Sequence, residues 1–224
     1  TGYSYYTVVI GSTASLNGRS QYSVIIGNAA QAGTGNANKT ITIGHQAQSN
    51  VSAEGSIAIG YQSGFSQTSG VGNTNVGYEA GYTNTTSGNN TTVGYQALKT
   101  STSADNTSLG YKAATAVTTS NNGVYIGSEV ALIATTGVSN SVLIGSDVQK
   151  SSAGASDSVI IGSQAGESAP GDTVVCVGRV AGKTNTSFGL VSIGGYAGFS
   201  QTSGTANTNA VSYTHLTLPT RSYV

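Results

Sequence analysis

Short apolar triplets recur along this chain at a near-constant interval, and each one ends in glycine. They read "SVIIGNAAQAG" (23–33), "SIAIGYQSG" (56–64), "NTNVGYEAG" (73–81), "NTSLGYKAA" (106–114), "SVLIGSDV" (141–148) and "SVIIGSQAG" (158–166). The anchor glycines are Gly11, Gly27, Gly44, Gly60, Gly77, Gly94, Gly110, Gly127, Gly145, Gly162, Gly178 and Gly194, spaced 16 to 18 residues apart. We write each unit as a-b-c-Gly-d-e-f. The c residue is always aliphatic, from Ile10 through Val93 and Leu109 to Ile193. The a residue is always Val, Ile or Thr, and f is small or β-branched, usually Ala. The b column is mixed: Val9, Ile25, Thr42, Ala58, Asn75, Thr92, Ser108, Tyr125, Leu143, Ile160, Cys176 and Ser192.

Alternation with period two predicts a short strand with one buried face. The regular a and c columns are expected to point inward and b outward. On that reading the apolar b residues near the two ends are candidate intersubunit contacts, and Thr74, Thr91 and Thr107 in column a lie inside. The glycine then permits a sharp turn at positive φ, and the small f residue fits a tighter second wall. The Ser/Thr/Asn/Gly segments between units have the chemistry of turns. A unit of this length is too short for a strand–helix–strand crossover. It predicts an all-β fold, a parallel β-roll or solenoid of about twelve 16–18-residue coils. Stacked at about 4.8 Å, the coils make a rod of roughly 55–60 Å.

These units and the Gly/Ser-rich turns that follow them resemble the head repeats of YadA-type trimeric autotransporter adhesins. The Tyr-bearing run "NTNVGYEAGYTNTTSGNNTTVGYQAL" (73–98) is similar to repeats of phage tail fibres. The resemblance covers residues 7–209; the coils here are longer than the compact adhesin repeat. It implies a left-handed roll, three chains around one axis, and attachment to a surface. The expected function is a structural and adhesive segment of a trimeric extracellular fibre, with a phage tail fibre in host attachment placed ahead of a bacterial adhesin head. The expected partners are two further copies and a host-surface glycan or protein receptor. A glycan-cleaving tailspike-type enzyme and an ice-binding solenoid are the alternatives.

Composition narrows the field. Eight Lys/Arg balance eight Asp/Glu in 224 residues, so there is no basic stripe for nucleic acid. No apolar run approaches membrane-spanning length. A single cysteine, Cys176, forms no internal disulfide. No phosphate loop is present, because "AGKT" (181–184) lacks the upstream glycine spacing. His45 has no second His or Cys at ligand spacing. Asp105, Asp157 and Asp172 sit outside any calcium-binding roll motif. No catalytic, cofactor or metal residue is therefore assigned, and no cofactor is expected.

Two columns hold candidate chemistry. Column d carries Tyr61, Tyr78, Tyr95 and Tyr111 on four successive rungs. This predicts a ladder, either a sugar-binding platform or a packing stripe over the roll. Column e brings Glu129 and Asp147 together on adjacent rungs. Their expected separation of roughly 5 Å approaches that of a retaining glycosidase pair, although stacked exposed carboxylates also describe a solvated face. Lys112 is expected beside Glu129 to balance charge.

From Ala210 the chain leaves its own pattern. "GFSQTSGVGNTNVGYEAG" from Gly64 and "GFSQTSGTANTNAVSYTH" from Gly198 agree through Asn209, apart from Val71/Thr205 and Gly72/Ala206. The continuation VSYTHLTLPT (211–220) resembles the translation of a transposase mosaic end joined to a sequencing-library adapter. Residues 1–209 are thus expected to be a roll domain, a piece open at both ends. Residues 210–224 are expected to be a non-native, poorly packed tail in which His215 and Pro219 have no role. A genuine terminal cap is the competing reading.

Overall fold

The computed structural model describes residues 5–15, 20–33, 36, 38–49, 53–133, 138–150, 155–168, 171–184, 187–200 and 204–210. The tail 211–224 and its expected poor packing lie outside them.

Each triplet is a strand: β1 Val8–Ile10, β2 Val24–Ile26, β3 Ile41–Ile43, β4 Ile57–Ile59, β5 Thr74–Val76, β6 Thr91–Val93, β7 Thr107–Leu109, β8 Val124–Ser128, β9 Val142–Ser146, β10 Val159–Ile161, β11 Val175–Val177, β12 Val191–Ile193 and β13 Thr208–Ala210. They form one parallel sheet in strict sequence order. The register joins a to a, b to b and c to c, as in Ile57↔Thr74, Ala58↔Asn75 and Ile59↔Val76. The fold is the expected β-solenoid. A thirteenth strand follows the twelve anchored rungs, and its c position is Ala210.

Rung-to-rung hydrogen bonds continue around the coil beyond the strands. Gly60 N–H donates to Ile43 O at 2.8 Å, Gln62 N–H to His45 O at 3.0 Å, and Gly64 N–H to Ala80 O at 2.9 Å. The anchor glycines turn at φ between 126° and 146°, where a side chain is strained. At Gly60 a Cβ would also overlap the carbonyl of Gly77 on the next rung. Less visible in the sequence, non-glycine residues enter the left-handed region twice in many turns: Gln46 at 52° and Gln48 at 46°, Gln96 at 53° and Leu98 at 47°, Lys112 at 51° and Ala114 at 54°. Such residues cost conformational energy singly. Here the inter-rung ladder holds them in place.

The predicted in/out sense of the strands is reversed. Ile25, Ala58, Tyr125, Leu143, Ile160 and Cys176, all in column b, are fully buried. So are Thr42, Asn75, Thr92, Ser108 and Ser192. Columns a and c face outward and are half-buried or exposed; Leu109 is 44% exposed and Ile193 49%. The apolar b residues are therefore core, not intersubunit contacts, save Val9 on the exposed first rung. Thr74, Thr91 and Thr107 lie outside.

The reason is the width of the lumen. Of each triplet only the b side chain enters the lumen, where it meets the f side chain, usually a fully buried alanine such as Ala47, Ala80 or Ala97, and further buried residues from the turns such as Leu98, Val117 and Leu190. Most polar b residues find partners, although Ser192 Oγ and Asn75 Nδ2 have none among the described residues. Thr42 Oγ1 donates to Gln48 Oε1 at 2.8 Å, and Ser108 Oγ to Ala113 O at 2.8 Å. Satisfied buried polar groups escape the full desolvation cost. The residue before a adds a further ladder: Asn90 N–H donates to Asn73 Oδ1, Asn106 N–H to Asn90 Oδ1 and Gly123 N–H to Asn106 Oδ1, each at 2.9 Å.

Candidate functional site

The outward columns make one continuous surface. Column c presents aliphatic side chains from Ile10 to Ile193, and column a adds Val or Ile except at Thr74, Thr91 and Thr107. No charged residue interrupts either column. Twelve rungs at about 4.8 Å, with two columns about 10 Å wide, give roughly 550 Å² of largely apolar face per chain. That is as large as the largest patch of a typical monomer, roughly 300–600 Å².

One glycine beyond column c, the aromatic ladder forms and is longer than expected. His45 stacks on Tyr61 with centroids 5.4 Å apart. Tyr61–Tyr78, Tyr78–Tyr95 and Tyr95–Tyr111 follow at 4.9, 5.1 and 5.5 Å, with interplanar angles no greater than 16°. Lys112 Nζ lies over the Tyr111 ring, 5.3 Å from its centroid. The faces of Tyr61, Tyr78 and Tyr95 are thus taken by neighbouring rings, and their edges remain half-exposed. Burial, then the neighbouring Glu79 carboxylate, raises the Tyr78 phenol above the ordinary tyrosine value. A shorter stack runs beside it: Phe65 on Tyr82 at 5.1 Å, with Lys99 Nζ 5.7 Å from the Tyr82 centroid.

Column e binds across rungs. Gln62 Nε2 donates to Gln46 Oε1 at 2.8 Å, and Gln96 Nε2 to Glu79 Oε2 at 2.8 Å. Lys99 pairs with Glu79 at 2.6 Å. Partial burial opposes ionisation of Glu79, but the bonds from Lys99 and Gln96 outweigh it and lower its pKa.

Glu129 and Asp147 are neighbours, as their spacing implies, but Lys150 sits between them. It pairs with Asp147 Oδ1 at 2.7 Å and with Glu129 Oε2. Lys150, not Lys112, balances Glu129. The Lys150 hydrogen bond holds the Asp147 carboxyl below its usual range. A general acid needs the opposite shift.

The remaining candidates have structural partners. Asp105 accepts from Asn89 Nδ2 at 3.1 Å, Asp157 from Asn140 Nδ2 at 3.0 Å, and Asp172 from Ser156 N–H at 2.8 Å. Burial pushes the Cys176 thiol up to about 11, away from reactivity. Among the described residues no three His, Cys, Asp or Glu come together as a metal site. No helix among them is long and apolar enough to cross a membrane. No protein-family model matches the chain, and searches of curated proteins and of solved structures returned no match.

Proposed function

We propose that this chain is a structural and adhesive segment of an extracellular fibre in which three copies pack their a and c columns together. One observation carries the reading: the most regular apolar columns of the sequence are those the single chain leaves outside its core. A thin rod with such a face gains stability by covering it with an identical face. Roughly 550 Å² of columns, widened by the turn residues beside them, approaches the 800 Å² per partner of a standard interface. The threefold number and the attachment role rest on the resemblance to adhesin heads and tail fibres. The Tyr-bearing units favour a phage tail fibre. The pairing of the column e carboxylates with Lys99 and Lys150 supports a non-enzymatic role.

Sedimentation equilibrium and native mass spectrometry of the full chain test the assembly. Trimers are expected, and a soluble monomer at micromolar concentration would overturn it. Binding to host cells or isolated envelope glycans tests attachment. Depolymerisation of such glycans, lost in a Glu129→Gln, Asp147→Asn double variant, would replace the adhesive reading with the enzymatic one.

A further inference from the structure

A face built of identical aliphatic columns has no natural register. Moving one copy along another by one rung, about 4.8 Å, again sets Val, Ile or Leu against Val, Ile or Leu. Among the twelve anchored rungs of the described residues, one feature breaks this degeneracy; a further change, to Thr208 and Ala210, comes only on the terminal strand β13. On β5, β6 and β7 the a column changes from Val/Ile to Thr74, Thr91 and Thr107, and returns to Val124 on β8.

These hydroxyls differ from those of loop threonines. Thr68, Thr83, Thr100, Thr102 and Thr184 each donate to a carbonyl of the following rung, at 2.7 to 3.0 Å. Thr74, Thr91 and Thr107 point outward, with Thr91 and Thr107 exposed, and none of their hydroxyls is hydrogen-bonded within the described chain. They are free to bond to one another across an assembly.

We infer that the Thr74–Thr91–Thr107 block sets the axial register between parallel copies of this chain, as a polar layer in an otherwise apolar seam. The inference rests on the assembly proposed above. In register, each threonine meets threonines of its neighbours and their hydroxyls exchange hydrogen bonds. After a slip of one rung, Thr107 faces Val124 and Ile57 faces Thr74. Two hydroxyls per interface then lose their partners in an apolar seam, which is costly. A polar residue placed at one level of a hydrophobic seam selects register in this way in coiled coils.

The test is self-sorting. A shifted variant, Ile57→Thr with Thr107→Val, moves the block by one rung without touching the core. An unblocked variant carries Thr74→Val, Thr91→Val and Thr107→Val. Each isotope-labelled full chain is refolded with unlabelled parent, and the trimers are counted by native mass spectrometry. Mixed trimers are expected severalfold below the binomial 1:3:3:1 distribution with the unblocked variant, whereas the shifted variant can realign its block by slipping one rung and should mix more freely. An Ile57→Val control should mix binomially. Binomial mixing of parent with the unblocked variant would overturn the register assignment while leaving the trimer intact. Monomers throughout, with native circular dichroism, would instead overturn the assembly, and the register assignment with it.

Discussion

Tyr125 reaches into the core over a glycine: a Cβ on Gly123 would overlap its phenol ring and hydroxyl. The hydroxyl donates to Val138 O at 3.0 Å. Tyr125 is fully buried, and burial raises its pKa. On neighbouring rungs the position of Gly123 holds Asn106 and Ser141, and the partners in column b are the smaller Ser108 and Leu143. The volume of one column is exchanged for that of the other, as close packing demands.

Gly123→Ser alone should therefore destabilise by about 1–3 kcal/mol through overpacking. Tyr125→Leu alone should lose a bond and leave a cavity, at about 2–4 kcal/mol. The double variant copies the Ser141/Leu143 rung, and its loss should fall well below the sum. Urea melts of the four proteins give the coupling energy. Simple additivity would contradict the volume exchange.

The aromatic ladder should contribute unequally along its length. Tyr78 has a ring on each face, whereas Tyr111 has Tyr95 on one side and Lys112 on the other. Each stacked pair is worth about 0.5–1.5 kcal/mol beyond area. Tyr78→Ala should cost more than Tyr111→Ala in the same melts. A receptor that needs ring faces would find none free inside the stack and would have to displace Lys112 at Tyr111. Loss of binding confined to end variants would identify such a receptor.

The Glu129–Lys150–Asp147 triad predicts a weak acid limb in stability. Lys150 lowers the folded pKa of Asp147 below its unfolded value of about 3.9. The stabilisation is therefore complete above that value and is lost as pH falls through the folded one. Lys150 and the carboxylates are 36% and 26–27% exposed, so screening keeps the effect below about 1 kcal/mol. Asp147→Asn should flatten the stability profile between pH 5 and 2 by about that amount. An unchanged profile would show that the triad is open in solution.

Much of the architecture could be read from the anchors alone. Gly60 and its counterparts set the period and the turn, and Ala47, Ala80 and Ala97 announced the tight wall. In this chain regularity of an apolar column is not a sign of burial. Column b looked like an outer face because Asn75, Thr92 and Ser108 stand beside Ile25 and Leu143. Those polar groups are bonded inside, Thr92 to Thr74 O and Asn75 Oδ1 on the preceding rung and Ser108 to Ala113 O across its own turn, which the alternation pattern does not display. Columns a and c are regular because a long outer face repeats one chemistry at every rung. The aromatic ladder was legible because its spacing is the rung itself. The Lys150 bridge was not, since it joins positions on different columns.

That reversal makes adjacent residues respond in opposite ways, which is the most direct check on it. Thr92 is fully buried, and its Oγ1 donates to Thr74 O at 3.0 Å. Val93, next in sequence, is only half-buried and faces outward. Thr92→Lys places an unpaired charge in the lumen and should cost about 3–5 kcal/mol, enough to unfold many domains of this size. Val93→Lys should change the stability of the single coil stack by no more than about 0.5 kcal/mol, as a surface substitution does. In a trimer it would bring three ammonium groups to one level of the apolar seam. Val93→Lys should therefore keep the β-sheet circular dichroism of the parent while sedimenting as monomer. If the sense of the strand were the other way, Val93→Lys would unfold the chain and Thr92→Lys would be silent. The two variants, measured side by side by circular dichroism and sedimentation, separate the two strand orientations.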